Sequence, residues 1–142
     1  MVKTLVLGYD ASPSANAALA STVELARQLG ARVVVVFGYY VSPLAGGDVH
    51  DYKAEVERVG NHAIARAIAD LEAAGVETES RLSAGKPADV LVQVAAEVGA
   101  DAIVVGTVGE SPISGAILGS VVLRLVQRSP IPILVVPTSE GE

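Results

Sequence analysis

Five short apolar runs alternate with four amphipathic stretches along the chain. The runs Thr4 to Leu7, Arg32 to Val36, Val76 to Leu82, Ala102 to Val105 and Ile133 to Val136 are the strand candidates, and several are apolar at consecutive positions. A strand apolar at every position is buried on both faces, as in a parallel sheet covered by helices. The stretches Pro13 to Leu29, about Val49 to Ala74, Pro87 to Val98 and Gly119 to Gln127 carry helical spacing instead. Ser12-Pro13 supplies an N-cap and a proline at the first helical position, and Gly30, Gly75 and Gly99 stand where three of the helices end. Five strands alternating with four helices predict an α/β fold, a single domain over residues 1–142 built on an open parallel sheet with right-handed crossovers. Tyr40 to Gly47 reads as a longer loop and Ser139 to Glu142 as a frayed tail.

In such sheets ligands bind beyond the carboxyl ends of the strands, where the strand order reverses. The first strand runs out in Gly8-Tyr9-Asp10-Ala11-Ser12, the second in Phe37-Gly38-Tyr39-Tyr40, and the fourth in Gly106-Thr107-Val108-Gly109. After that last run come nine residues and then Gly119-Ser120, which opens a helical pattern. Strand, glycine-punctuated loop and helix start build an anion cradle: glycine removes the Cβ, and a helix N-terminus offers unpaired N–H donors and a positive dipole end. The same glycines also suit a plain strand end and helix start. Asp10 can accept ribose hydroxyls, sit beside a phosphate-bound magnesium, or accept the N–H groups of the following turn. Three of the four tyrosines, Tyr9, Tyr39 and Tyr40, fall at or just past strand ends, where a ring can flank a base or pack in the core.

Composition narrows the class of partner. Hydrophobic residues make up 51% of the 142 residues and charged residues 18%, below the roughly 25% of an average soluble chain. Much surface must therefore be buried, and a homo-oligomer is expected. A formal net charge of −6, with no basic block, argues against nucleic-acid and anionic-membrane surfaces. Zero cysteines exclude disulfides, thiol nucleophiles and Cys-ligated metals, and fit a reducing compartment. The apolar stretch Val2 to Leu7 is too short for a signal-peptide core or a membrane span, so the expectation is a cytoplasmic protein.

The spacing G-x-x-G, nine residues, G-S, together with the segment Leu5 to Ser14 and the closing segment Ser129 to Val136, resembles the universal stress protein family from about Lys3 to Pro137. The resemblance implies a five-stranded, Rossmann-like sheet ordered 3-2-1-4-5, with Asp10 and Gly106 facing each other across one crevice. It implies that Gly106, Gly109, Gly119 and Ser120 hold phosphates and that Tyr9, Asp10 and Gly38 line adenine and ribose, with Gly8, Val105, Val108 and Val121 completing the site. It also implies a homodimer through the last strand, Ile131 to Pro137. That strand would lie at the sheet edge, and its Ile133 and Val135 side chains would be exposed in a monomer.

One departure bears on the ligand. Between Gly106 and Leu123 there is no Lys or Arg, and Glu110 adds negative charge. A triphosphate carries about four negative charges, which backbone donors neutralise poorly without a divalent cation. The expected cofactor is therefore ATP accompanied by Mg2+, or a less charged adenine nucleotide such as AMP or cyclic AMP; Lys86 is read as a solvated loop residue. No Walker loop, dinucleotide fingerprint, zinc-protease motif or serine elbow occurs, and His50 and His62 are read as surface positions. The chain reads as a nucleotide-binding regulatory module acting on a signalling partner that the sequence does not name, and not as an enzyme, although the fold is compatible with slow nucleotide hydrolysis. The competing reading is a nucleotide-free dimeric interaction scaffold.

Overall fold

The computed structural model describes residues 2–39, 49–107 and 119–138. The loop and tail expected at 40–47 and 139–142 lie outside them. Nine elements follow in order: β1 (Thr4–Gly8), α1 (Pro13–Leu29), β2 (Arg32–Tyr39), α2 (Val49–Ala73), β3 (Thr78–Ala84), α3 (Pro87–Val98), β4 (Ala102–Gly106), α4 (Ser120–Arg128) and β5 (Ile133–Val136). They build one five-stranded sheet in the order β3-β2-β1-β4-β5 with every pairing parallel, as expected.

Side-chain parity sorts the core into two layers. Leu5, Leu7, Val33, Val35 and Val104 pack with Ala18 and Leu19 of α1 and Ile64 and Leu71 of α2. The intervening Val6, Val34, Val36, Ile103 and Val105 pack with Leu91 and Val94 of α3 and Val122 and Leu125 of α4. Consecutive residues thus point to opposite layers, and both sides are buried, which is why these strands are apolar throughout.

Local chemistry sets the helix ends. Ser12 is extended, and its Oγ accepts the Ala15 N–H at 3.1 Å to cap α1. Gly30 and Gly99 end α1 and α3 in the left-handed conformation, at φ +67° and +65°.

One strand is displaced from its expected position. β3 runs Thr78–Ala84, not Val76 to Leu82. Val76 is apolar because it is buried in the α1/α2 layer, but its N–H closes the end of α2 on the Leu71 carbonyl at 3.0 Å. Ser83 and Ala84, which look like loop, pair with Gly38 and Tyr39.

Candidate functional site

A cavity of about 210 Å³ opens at the carboxyl ends of β1, β2 and β4, beside the point where the strand order departs in both directions from β1. Of the expected site residues, Gly8, Tyr9, Asp10, Gly38, Val105, Gly106, Gly119 and Val121 line it. Ser120 is the exposed first residue of α4 and is not in the wall. Val108 and Gly109 lie outside the described residues, as do Tyr40 and Glu110. Ser12, Phe37 and Thr107, which stand in the strand-end runs but not among the expected site residues, also line it, and the sequence reading missed Ala15, Val36, Pro87, Leu91 and Val122. Pro87 and Leu91 are one helical turn apart at the start of α3. That spacing was the available signal, since a helix following β3 brings its first turn to this end of the sheet.

The glycines of the wall differ in what they leave room for. A Cβ on Gly8 would stand 3.0 Å from Leu91 Cδ1 and 3.1 Å from Val105 Cγ1, and one on Gly38 would stand 3.0 Å from the Cα of Pro87. Glycine at these two positions therefore lets α3 lie close against the ends of β1 and β2, where the cavity opens. Gly106 answers to a different demand. A Cβ there would meet Ser14, with the Ser14 carbonyl carbon at 2.6 Å, so this glycine lets α1 lie against β4 on the far side of the sheet.

Asp10 makes the turn contact. Its Oδ1 accepts the Ser12 N–H at 3.0 Å, and the carboxylate still borders the cavity. Between them Ala11 has φ +64°, a left-handed conformation that costs a residue with a Cβ roughly 1–2 kcal/mol. Tyr9 touches the cavity, but its ring belongs to the core layer under α1 and α2, where its hydroxyl donates to Asn16 Oδ1 at 2.5 Å. Burial pushes the phenol above the ordinary tyrosine range. Tyr39 is not in the wall: its hydroxyl donates to Glu57 Oε2 at 2.7 Å, and that bond raises its pKa.

The electrostatic character of the crevice comes from helix ends. Gly119 is the N-cap of α4, and among the described residues no side chain caps the first-turn N–H groups of α4, in the stretch that supplies Val121 and Val122 to the wall. The Gly119 N–H itself donates to the Thr107 carbonyl at 2.6 Å and holds this helix start against the end of β4. Pro87, the first residue of α3, and Ser12, the cap of α1, bring two more helix starts to the same cavity. Among the described wall residues there is no Lys or Arg, and Asp10 is the single carboxylate. Lys86 is exposed beside Pro87, and His62 is exposed on α2. Among the described residues no group of three His, Asp or Glu could hold a metal ion, and no helix is long and apolar enough to cross a membrane.

Arranged this way, the cavity offers an apolar slot under α3, a carboxylate at its rim and uncapped helix donors at one end. Such a site suits a flat apolar ring joined to a hydroxyl-bearing linker and an anion. Comparison with known proteins places the chain among relatives along nearly its whole length. The sequence model of the Universal stress protein family matches residues 1–137. A relative in Thermus aquaticus, the "Universal stress protein in QAH/OAS sulfhydrylase 3'region", is 35% identical over 137 residues, covering 96% of this chain and 99% of its own. A solved structure described as a universal stress protein in complex with cAMP is 33% identical, with a TM-score of 0.76 over 97% of this chain and 99% of that one. The fold also superimposes, with a TM-score of 0.85 over 96% of each chain at 20% identity, on the structure of hypothetical protein MJ0577.

Proposed function

This chain belongs to the universal stress protein family, and we propose that its crevice binds an adenine nucleotide of low charge, of the AMP or cyclic AMP class, as the input of a cytoplasmic regulatory module. The observation that carries this reading is a single cavity whose wall joins the apolar side chains of Pro87, Leu91 and Val105, the carboxylate of Asp10 and the start of α4. Leu91, Val105 and Pro87 would flank the base, Asp10 would accept from the ribose, and the first N–H groups of α4 would donate to the phosphate. The cyclic AMP complex of a 33% identical relative supports the ligand class. The low charge follows from the wall itself: one carboxylate, no cation among its described residues, and dipole ends that neutralise one phosphate better than three. ATP would need Mg2+ carried in on its own phosphates. No activated nucleophile or base stands in the described wall, so the proposal is binding without turnover.

Thermal unfolding of the full chain with AMP, cyclic AMP, ADP and ATP, each with and without Mg2+, tests this. AMP or cyclic AMP should raise the midpoint in a dose-dependent way without Mg2+, and ATP should need the metal. No rise with any of the four at millimolar concentration removes the nucleotide reading.

A second reading, a self-associating interaction surface, has its own observation. Leu123 and Val126 on α4 and Leu134 on the edge strand β5 are 52%, 64% and 41% exposed. We propose that β5 and α4 pair with a second copy of the chain. This surface and the nucleotide site are compatible, since α4 contributes to both.

A further inference from the structure

We propose that the Asp89–Arg124 ion pair positions the phosphate-binding end of the crevice by locking the start of α4 to the start of α3. The proposal deepens the nucleotide reading and rests on it. α4 is nine residues long and buries only Val122 and Leu125. Val121 packs half-buried beside them, and the Gly119–Thr107 bond pins the helix start at one point; one pinned point fixes position but not direction, although the N–H groups of so short a helix must aim at one anion. A polar tie supplies the missing constraint. Arg124 lies one turn beyond Ser120, and its Nε and Nη2 donate to Oδ1 and Oδ2 of Asp89 at 3.0 and 3.1 Å. Asp89 in turn stands between Pro87 and Leu91, the two α3 residues of the cavity wall. Arg128 adds a second cation 3.9 Å from the same carboxylate.

The two-pronged geometry fixes direction as well as distance, since a planar guanidinium meets a planar carboxylate in one orientation. As a source of stability the pair is minor, because both side chains are more than a third exposed and such pairs contribute little. Its value lies in aim: hydrogen bonds weaken steeply once donor and acceptor are misaligned. The pair should therefore act on the phosphate and not on the base, which the wall of α3 and the sheet hold independently.

Isothermal titration of the full chain with AMP and with adenosine separates these contributions. The wild type should bind AMP more tightly than adenosine. Asp89→Asn and Arg124→Gln should each lower AMP affinity about fivefold, a usual size for an indirect coupling, and leave adenosine affinity unchanged. Asp89→Asn is the sharper arm, because it removes a negative charge near the crevice: charge alone would tighten AMP, whereas loss of aim weakens it. The exchanged pair, Asp89→Arg with Arg124→Asp, should recover most of the lost affinity. Thermal unfolding of each variant without ligand confirms that it is folded. An unchanged AMP-to-adenosine ratio in both single variants, or tighter AMP binding by Asp89→Asn, overturns the positioning role while leaving the nucleotide reading intact. A wild type that binds neither ligand overturns both.

Discussion

Gly8 and Gly106, both at strand ends, predict opposite phenotypes. An alanine at residue 8 would press on the flexible tips of Leu91 and Val105, which can shift, so Gly8→Ala should keep its unfolding midpoint within a few degrees while taking volume from the slot. AMP affinity should fall at least about tenfold, as a calorimetric titration would read. An alanine at residue 106 would press on the backbone of Ser14, which cannot shift without moving α1. Gly106→Ala should therefore cost about 1–3 kcal/mol in urea unfolding with no ligand present. The glycines were legible in the sequence as a group, because strand-end glycine before a helix is a pattern. Their division of labour was not, because it depends on which helix lies across each one. The Asp10 contact was legible as one of several alternatives, and the Ser12 N–H is the partner the structure provides.

Among the elements, the strands apolar at every position were read closely, since burial on both faces leaves a strong signal. β2 nevertheless runs on to Tyr39, three residues past its expected end, and of the edge strands β5 has the expected ends Ile133–Val136 while β3 does not. β3 is half-buried along most of its length, and its register is set by pairing with β2, so its sequence does not mark its own ends. In β5 the expected exposure of Ile133 and Val135 is corrected. Both are half-buried against the α3/α4 layer, and Leu134, which points the other way, is the exposed residue. β1 and the start of β4 are tied by a titratable group. Asp101 Oδ2 accepts the N–H groups of Lys3 at 2.8 Å and Thr4 at 3.0 Å, and these two bonds hold its carboxyl below the ordinary aspartate range. Asp89 is lowered in the same direction, chiefly by its bond to Arg124. A depressed folded-state pKa gives stability that is present above the unfolded value of about 3.9 and is lost as pH falls through the folded one. The urea midpoint should hold from neutral pH down to about pH 5 and then decline. Asp101→Asn should lower the midpoint at pH 7 and make that acid decline shallower.

For the molecule as a whole, the open question is what covers α4 and β5. If a second copy does, the wild type should sediment as a dimer at micromolar concentration, and Leu134→Lys or Val126→Lys should shift it toward monomer. Val135→Lys is a poorer probe of association, because that side chain is committed to its own core layer. A monomeric wild type would leave the exposed apolar residues to some other partner. The strand order carries a further consequence, for how the chain is made. β1 is the central strand and the first to leave the ribosome, yet Leu5 waits for Ala102 to pair its second edge. At roughly 5–20 residues per second, that edge stays open for on the order of 3–13 s of synthesis after its first partner β2 has emerged. An apolar strand with one bare edge is a template for pairing with a neighbouring nascent chain. Crowded synthesis on one message should therefore be the moment at which this protein is most prone to aggregate.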